Sequence, residues 1–449
     1  MTANFASNLA TPPSDAAEGR VLRRGFCPGL SAPMQTGDGL LVRLLPIGTV
    51  PLHAFKKFCA AARAHGNGIV EITARGSIQV RGLSAASAPR FAASVRALGI
   101  AAEDGIPVHV NPLAGLDADE IIDAGKLAAD LQGACTRSNL SAFLSPKASV
   151  TIDGGGALGL DMLAADLRFR AELIESDAAL RVSVGGDAET ATDVGFIAPA
   201  NAVETAVRLL EVIGQRGRDA RARNIIVSEG VEPFGLAVRD LFSIHARPGV
   251  SANQDLNSRL RGNERKSAIG LYAQRDRLFA QGIGLAFGHT DAESLAALID
   301  AAEAAGASGM RTAAERALVA IGLAPDTLAG FSECAERLGF IVRPDDPRRF
   351  VVACAGAPVC AAAHIAARAM APRIVADAAE FLSKWLTIHL SGCAKGCANP
   401  AAAGLTIVGT PEGCALVANG AARDAPFAIV PMDKLPSALA GAISELRHV

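Results

Sequence analysis

The chain has 449 residues, half of them apolar, with 43 basic and 45 acidic side chains and a net charge of −2. This length gives a large core and room for about three domains, and the balanced charge offers no footprint for a polyelectrolyte partner. One Trp and one Tyr leave no stacking surface for nucleic-acid bases, and no apolar run is long enough to span a bilayer, so neither nucleic acid nor membrane is an expected partner.

Residues 1–24 read as a flexible tail. The stretch "MTANFASNLATPPSDAAEGR" has neither the basic start nor the apolar segment of an export signal, which points to a cytoplasmic protein. Over 25–100 the pattern is a strand ("LLVRLLPIG"), a helix at 51–65, and a Gly-marked turn into a second strand ending in Gly-Leu. The same order returns over 246–328, with "GIGLAFG" and a helix at 291–305. Shifted by 240 residues, segments 44–83 and 284–323 align without a gap and agree at nine of 40 positions. Four of those are Ala in an Ala-rich chain, so the weight rests on Gly48, Gly66 and Gly82 and on Leu45 and Leu83. A half-domain used twice implies a pseudo-two-fold core; two ordinary βαβ units that merely look alike are the alternative.

The region 101–245 reads as a larger α/β domain. A helix at 118–134 leads to a strand around "KASVTI", a Gly turn at 154–156, strands at "LRVSVGG" and "DVGFIAP", a helix at 200–215 and an Arg-rich stretch to Arg223. Gly154, Gly156 and Gly159 match a dinucleotide G-x-G-x-x-G literally. Asp153 precedes them with a charge, however, and no acid ends the next strand, so a turn is the reading. The last domain, 329–449, reads as a helix at 331–340, strands at "RRFVVAC", "LTIHLSGC", "GLTIVG" and "AIVP", and a closing helix at 433–446.

Two of those strands run into cysteine pairs: Cys354 and Cys360 in C-x5-C, Cys393 and Cys397 in C-x3-C, in segments rich in Ala and Gly. Four thiolates in a dry, close-packed shell are what a 4Fe–4S cluster needs, and small residues let backbone N–H groups approach its sulfurs. A four-cysteine zinc site or inert core thiols are the alternatives, though x5 fits zinc spacing poorly. Cys27, Cys59, Cys135, Cys334 and Cys414 have no partner at ligand spacing, and nine is an odd number for disulfides. His389 and His364 adjoin the cysteine motifs. Imidazole suits a mononuclear iron, yet a His beside a cluster more often packs or hydrogen-bonds, and no two-His-one-carboxylate set emerges from spacing.

These residues resemble the nitrite and sulfite reductase family. Ala353, Cys354, Pro358, Cys360 and Ala363 match its first cysteine motif, and Ser391, Gly392, Cys393, Gly396 and Cys397 its second. "ITARGSIQ" (Ile72 to Gln79) looks like its tetrapyrrole-contacting strand and "LSPKASV" (Leu144 to Val150) like its basic strand. The resemblance implies an α+β (α/β) fold: two repeated ferredoxin-like half-domains and two larger α/β domains around a pseudo-two-fold axis. Cys354, Cys360, Cys393 and Cys397 would then ligate a 4Fe–4S cluster, with Cys397 in the place that bridges to siroheme iron.

The departures narrow the resemblance. Ser149 stands where the reductases have a second basic-strand Lys, and Ala394-Lys395 replaces the Pro-Asn of their C-P-N-G-C segment. With the opening "RRGFCPGLSAPMQTGDGLLVRL", this looks like the precorrin-3B synthase branch, which hydroxylates C20 of precorrin-3A with dioxygen and closes a γ-lactone. The branch implies a large polycarboxylate substrate, a separate electron-donor reductase, and a mononuclear non-haem iron beside the cluster, with siroheme the alternative. Planar guanidinium groups suit carboxylates, so Arg43, Arg75, Arg81 and Lys147 are the candidate anion contacts, with Gln79 on the same strand face. A solvated surface charge is the bland reading of each. Cys27, in C-P-G, would belong to a structural or lid loop. A siroheme-dependent sulfite or nitrite reductase and a non-catalytic iron–sulfur tetrapyrrole-binding protein remain rival functions.

Overall fold

The computed structural model describes residues 28–100, 105–242, 266–383 and 386–446; Cys27 lies outside them. The first half-domain contains β1 (Met34–Thr36), β2 (Gly39–Leu44), α1 (Leu52–His65), β3 (Ile69–Ile72), β4 (Ile78–Leu83) and α2 (Ser87–Ala97). The first α/β domain follows with β5 (Val108–Val110), α3 (Ala124–Arg137), β6 (Val150–Asp153), β7 (Ala165–Ile174), β8 (Asp177–Gly186), β9 (Thr192–Ile197), α4 (Ala202–Gly214), α5 (Ala222–Glu229) and α6 (Glu232–Val238). The second half-domain contains β10 (Gly270–Ala273), β11 (Phe279–Gly284), β12 (His289–Asp291), α7 (Ala292–Ala304), β13 (Gly309–Ala313), β14 (Ala317–Leu323) and α8 (Leu328–Arg337). Last come β15 (Val351–Ala353), α9 (Ala367–Ala378), β16 (Ile388–Ser391), β17 (Ala403–Thr410), β18 (Gly413–Gly420), β19 (Ala428–Val430) and α10 (Leu435–Leu446).

The repeat is real in three dimensions, and the two copies trade strands. β12 leaves its own half-domain and pairs antiparallel with β3, His289 opposite Glu71 and Thr290 opposite Val70. The 240-residue counterpart of Thr290 is Val50, and it pairs with Met310, the counterpart of Val70, through N–H···O bonds of 2.8 and 3.0 Å. The exchange is therefore reciprocal. Helices α1 and α7 start at counterpart positions, and Phe55, Phe58, Phe91, Leu295, Leu298 and Phe331 meet in one buried core shared by both copies. Each such side chain contributes roughly 1.5–3 kcal/mol on burial, so neither copy is complete alone.

The two larger domains are also twins. Sheet order β5-β6-β7-β8-β9 repeats as β15-β16-β17-β18-β19, each with two parallel pairings followed by two antiparallel ones. Loops leaving the parallel strands at their C-terminal ends are where α/β sheets build sites.

Several sequence expectations need correction. Arg75 and Arg81 do not share a strand. Ile72 to Gln79 is a hairpin, closed where Thr73 N donates to Ser77 O at 2.9 Å and Gly76 takes a left-handed φ of 82°. The helix expected at 118–134 begins at Ala124, because the Asp123 carboxylate caps Lys126 N at 2.9 Å while turns occupy the preceding residues. The strand expected at "KASVTI" covers only Val150–Asp153. β7, α5 and α6 went unread: "ADLRFRAELI" carries charges that mask its alternation, and the helices lie next to the Arg-rich stretch.

Candidate active site

Antiparallel pairing sets side chains in rows across a sheet. In the first half-domain the register places Arg43 beside Gln79, Gln79 beside Glu71, and Glu71 beside His289. The opposite face, with Val42, Leu44, Val70, Ile72, Ile78 and Val80, is buried in the core. The row is wired together. Oriented to satisfy its neighbours, the Gln79 amide donates to Glu71 Oε2 (3.1 Å) and accepts from Arg43 Nη2 (2.7 Å) and Nε (3.0 Å).

Arg81, one step along the same face, is buried and grips Asp38 through Nε–Oδ2 (2.8 Å) and Nη2–Oδ1 (2.7 Å). Burial alone would lower Arg81; the charges of Glu71 and Asp38 overcome it and hold the guanidinium above its ordinary range. From the C-terminal domain Arg368 on α9 reaches Glu71 Oε1 at 2.5 Å. Burial pulls Arg368 below an ordinary guanidinium, with Glu71 opposing, and its Nε is buried with no hydrogen-bond partner among the described residues.

The cysteine loops lie against this face. Cys354 directly follows β15, and Cys393 stands two residues beyond β16. The turn between β1 and β2 meets the first loop: Gly37 O accepts from Ala361 N at 3.1 Å, and a Cβ on Gly37 would stand 2.4 Å from Cys360 Sγ. Cys354 is half-buried and accepts from Gly392 N at 3.0 Å. Burial raises its pKa against the N–H groups of Gly392 and Gly356, and the thiols of Cys397 and Cys360 raise it further, so these three lie within electrostatic reach of one another. Cys397 is also close enough to act on Arg81. Cys393 lines a small cavity with Ala362, His364, Lys395 and Thr410, facing back on the first loop.

Four thiolates are the donor set a cubane takes, spread over four irons, and among the described residues no three His, Cys, Asp or Glu side chains converge on one point. N–H groups aimed at sulfur and a turn that only glycine can occupy are the shell a cluster uses.

The twin domain shows what the same scaffold does without cysteines. Asn111 follows β5 as Cys354 follows β15, and Gly154 N donates to Asn111 Oδ1 at 2.8 Å as Gly392 N donates to Cys354. Ile121 N bonds Gly154 O (2.8 Å) as His364 N bonds Gly392 O (2.7 Å). The Gly-rich "DGGGALG" is thus the counterpart of the second cysteine loop. Its space is filled by carboxylates, with Asp117 accepting from Ala157 N at 2.5 Å.

Arg75 and Lys147 lie apart from the ladder. Arg75 sits on the hairpin turn and donates to Ala164 O (2.7 Å) and Ser149 Oγ (3.1 Å). It lines a cavity of ≈170 Å³ with His109, Asn111 and Arg311, too small for a macrocycle. Burial, then the Arg75 charge, pushes His109 down to about 3. Lys147 is exposed. His389 is fully buried with both ring nitrogens unpartnered among the described residues, and burial, then Arg316, lowers its pKa to about 4. Gly396 covers it, a Cβ there standing 3.9 Å from His389 Cε1. Cys59 and Cys135 are buried thiols pushed up to about 12 and about 11.

Sequence reasoning missed Asp38, Glu71 and Arg368. Glu71 was legible as the one acid on a short apolar strand; Asp38 and Arg368 had no signal, since their partners are remote in the chain.

The comparisons agree with this architecture. Residues 32–98 match the family model of the nitrite/sulfite reductase ferredoxin-like half domain. A precorrin-3B synthase from Sinorhizobium sp is 39% identical over 95% of this chain and 89% of its own. A ferredoxin–nitrite reductase from Synechococcus elongatus is 26% identical over 76% of this chain and 70% of its own. The NirA protein of Mycobacterium tuberculosis superposes with a TM-score of 0.69 at 18% identity, covering 91% of this chain and 81% of that one, which establishes the shared fold.

Proposed function

The chain belongs to the precorrin-3B synthase family, and from this we infer that it is an oxidoreductase converting precorrin-3A to precorrin-3B in aerobic cobalamin biosynthesis. One atom of dioxygen enters at C20 and the other leaves as water, with two electrons and two protons drawn from a donor; a ring A acetate closes the γ-lactone. The observation that carries this reading is the near-full-length similarity to the Sinorhizobium enzyme, against shorter and weaker similarity to nitrite reductases.

When bound by Cys354, Cys360, Cys393 and Cys397, a 4Fe–4S cluster supplies the single electrons that spin-triplet dioxygen requires. A separate reductase would deliver them. A cytoplasmic setting would keep thiols reduced, and no disulfide joins any of the described cysteines. No described helix is long and apolar enough to cross a membrane.

The substrate's carboxylates would be held by Arg43, Arg75, Gln79, Arg81 and Lys147. Glu71 and Arg43 fix the Gln79 amide in advance, so that row keeps its polar groups in place when a macrocycle arrives. Arg81 has two of its nitrogens on Asp38 and would act on carboxylates through its charge. Arg75, anchored to a backbone carbonyl and Ser149, would meet the acidic rim from the hairpin turn. A small dianion needs several unpaired cations around it, and here Ser149 replaces one of them. The nitrite reductase relatives favour siroheme-dependent anion reduction as the second reading.

Anaerobically purified protein decides between them. Iron and sulfide at cluster stoichiometry without extractable siroheme, followed by ¹⁸O incorporation from dioxygen into the tetrapyrrole, is the expected result, and Cys393→Ser should lose cluster and turnover together. Stoichiometric siroheme with nitrite or sulfite reduction would replace this reading. A cluster with no turnover of either substrate would leave a binding protein.

A further inference from the structure

Three cations and two anions meet where the first half-domain touches the cysteine loops: Arg43, Arg81 and Arg368 against Glu71 and Asp38. Arg43 is occupied with Gln79, and Arg81 with Asp38. Arg368 differs. One nitrogen binds Glu71 Oε1 at 2.5 Å, while its Nε is buried without a partner among the described residues. A buried guanidinium N–H left unsatisfied costs free energy unless something the protein normally holds accepts from it.

Its location says what that acceptor is. α9, which carries Arg368, begins just beyond the first cysteine loop, and a Cβ on Gly356 would touch Ala367 N at 2.5 Å, so helix and loop are in contact. An acceptor there would be buried, and Cys354 lies close enough to act on the Arg368 charge, so an anion held by the cysteine loops would suit it. A four-thiolate cubane carries net negative charge that grows by one on reduction, and N–H donors to its sulfurs and nearby cations set its potential.

We propose that Arg368 is a positioning residue for the iron–sulfur cluster: its unpartnered Nε–H and its charge favour the reduced cluster and raise the reduction potential, while Glu71 fixes the guanidinium and tempers that effect. This rests on the cluster reading above. The twin half has lost the arrangement. The counterparts of Arg43, Gln79 and Glu71 are Ile283, Val319 and Arg311, two of them apolar, and no cysteines stand in the counterpart loops. The charged row and the thiols come from different halves of the chain and meet where the first half-domain touches the C-terminal domain.

The test uses full-length protein with the cluster assembled anaerobically, assayed for iron and sulfide and titrated reductively under electron paramagnetic resonance. Arg368→Gln should lower the midpoint potential, Arg368→Lys should restore much of it, and Glu71→Gln should raise it. A merely structural role would not give opposite signs for the two charge removals. If Arg368→Gln does not load a cluster, the rise in Glu71→Gln and the near-native value in Arg368→Lys carry the decision. A replete Arg368→Gln cluster at the wild-type potential, or no rise in Glu71→Gln, overturns the inference alone. Wild-type protein without iron and sulfide overturns the cluster reading and this inference with it.

Discussion

Gly392 N donates to the Cys354 sulfur at 3.0 Å, and the twin domain reproduces the bond with an amide oxygen, Gly154 N to Asn111 Oδ1 at 2.8 Å. One loop geometry therefore serves two chemistries. The backbone hydrogen bonds around it are common to both domains; in the twin the loop closes on itself around Asn111, whereas around Cys354 it would hold the proposed cluster.

Cys354→Asn should therefore fold. The twin already forms around asparagine, so the apoprotein's unfolding free energy should change by about 1 kcal/mol or less, while iron and sulfide content falls to background. A denaturant melt of the apoprotein beside an iron and sulfide assay checks both halves. Collapse of the fold would mean that the two loops are not interchangeable.

Gly37→Ala probes the contact from the other side. The added methyl would stand 2.4 Å from Cys360 Sγ, so either the β1–β2 turn or the first cysteine loop must move. Overpacking of this kind costs roughly 1–3 kcal/mol, and cluster occupancy should fall with it. Gly330→Ala, in the first turn of α8, is the control: nothing lies within 4 Å of its Cβ, so stability should be unchanged or rise by at most about 1 kcal/mol.

Asp38→Asn breaks a buried pair and leaves Arg81 with Glu71 as its remaining anion, so the loss should fall short of the roughly 3–5 kcal/mol of a fully uncompensated buried charge. The pH dependence has a defined sign. Burial would raise the Asp38 pKa, but the Arg81 hydrogen bonds and charge outweigh it and hold the carboxyl below 3.8. A depressed carboxylate contributes its full stability above the unfolded pKa and loses it as pH falls through the folded value. Thermal midpoints of the wild type should thus drop below about pH 4, and Asp38→Asn should show a shallower acid limb. Equal slopes would remove Asp38 from the acid response.

Lys147→Ala separates binding from folding. The side chain is exposed, so stability should stay within about 0.5 kcal/mol of wild type. An exposed charge contact is worth up to ~1 kcal/mol, so KM for the tetrapyrrole should rise by about fivefold with kcat nearly unchanged. Unchanged KM would return Lys147 to the solvated surface.

Local spacing made the architecture readable from sequence. Cysteine separations, the ungapped 240-residue repeat and the glycines at Gly48 and Gly82 are properties of neighbouring residues, because strand and helix periods and left-handed turns are set within a few bonds. Those features exposed the paired half-domains and the placement of both cysteine pairs at strand ends, and the fold class followed from the family resemblance they carry. The tertiary structure alone decided which charges meet. Glu71 and Arg368 lie 297 residues apart, Arg81 and Asp38 lie 43 apart across two strands, and the traded strand that sets His289 beside Glu71 comes from the other copy. Ion pairs depend on distance in space and on burial, and a sequence records neither until the sheets have closed.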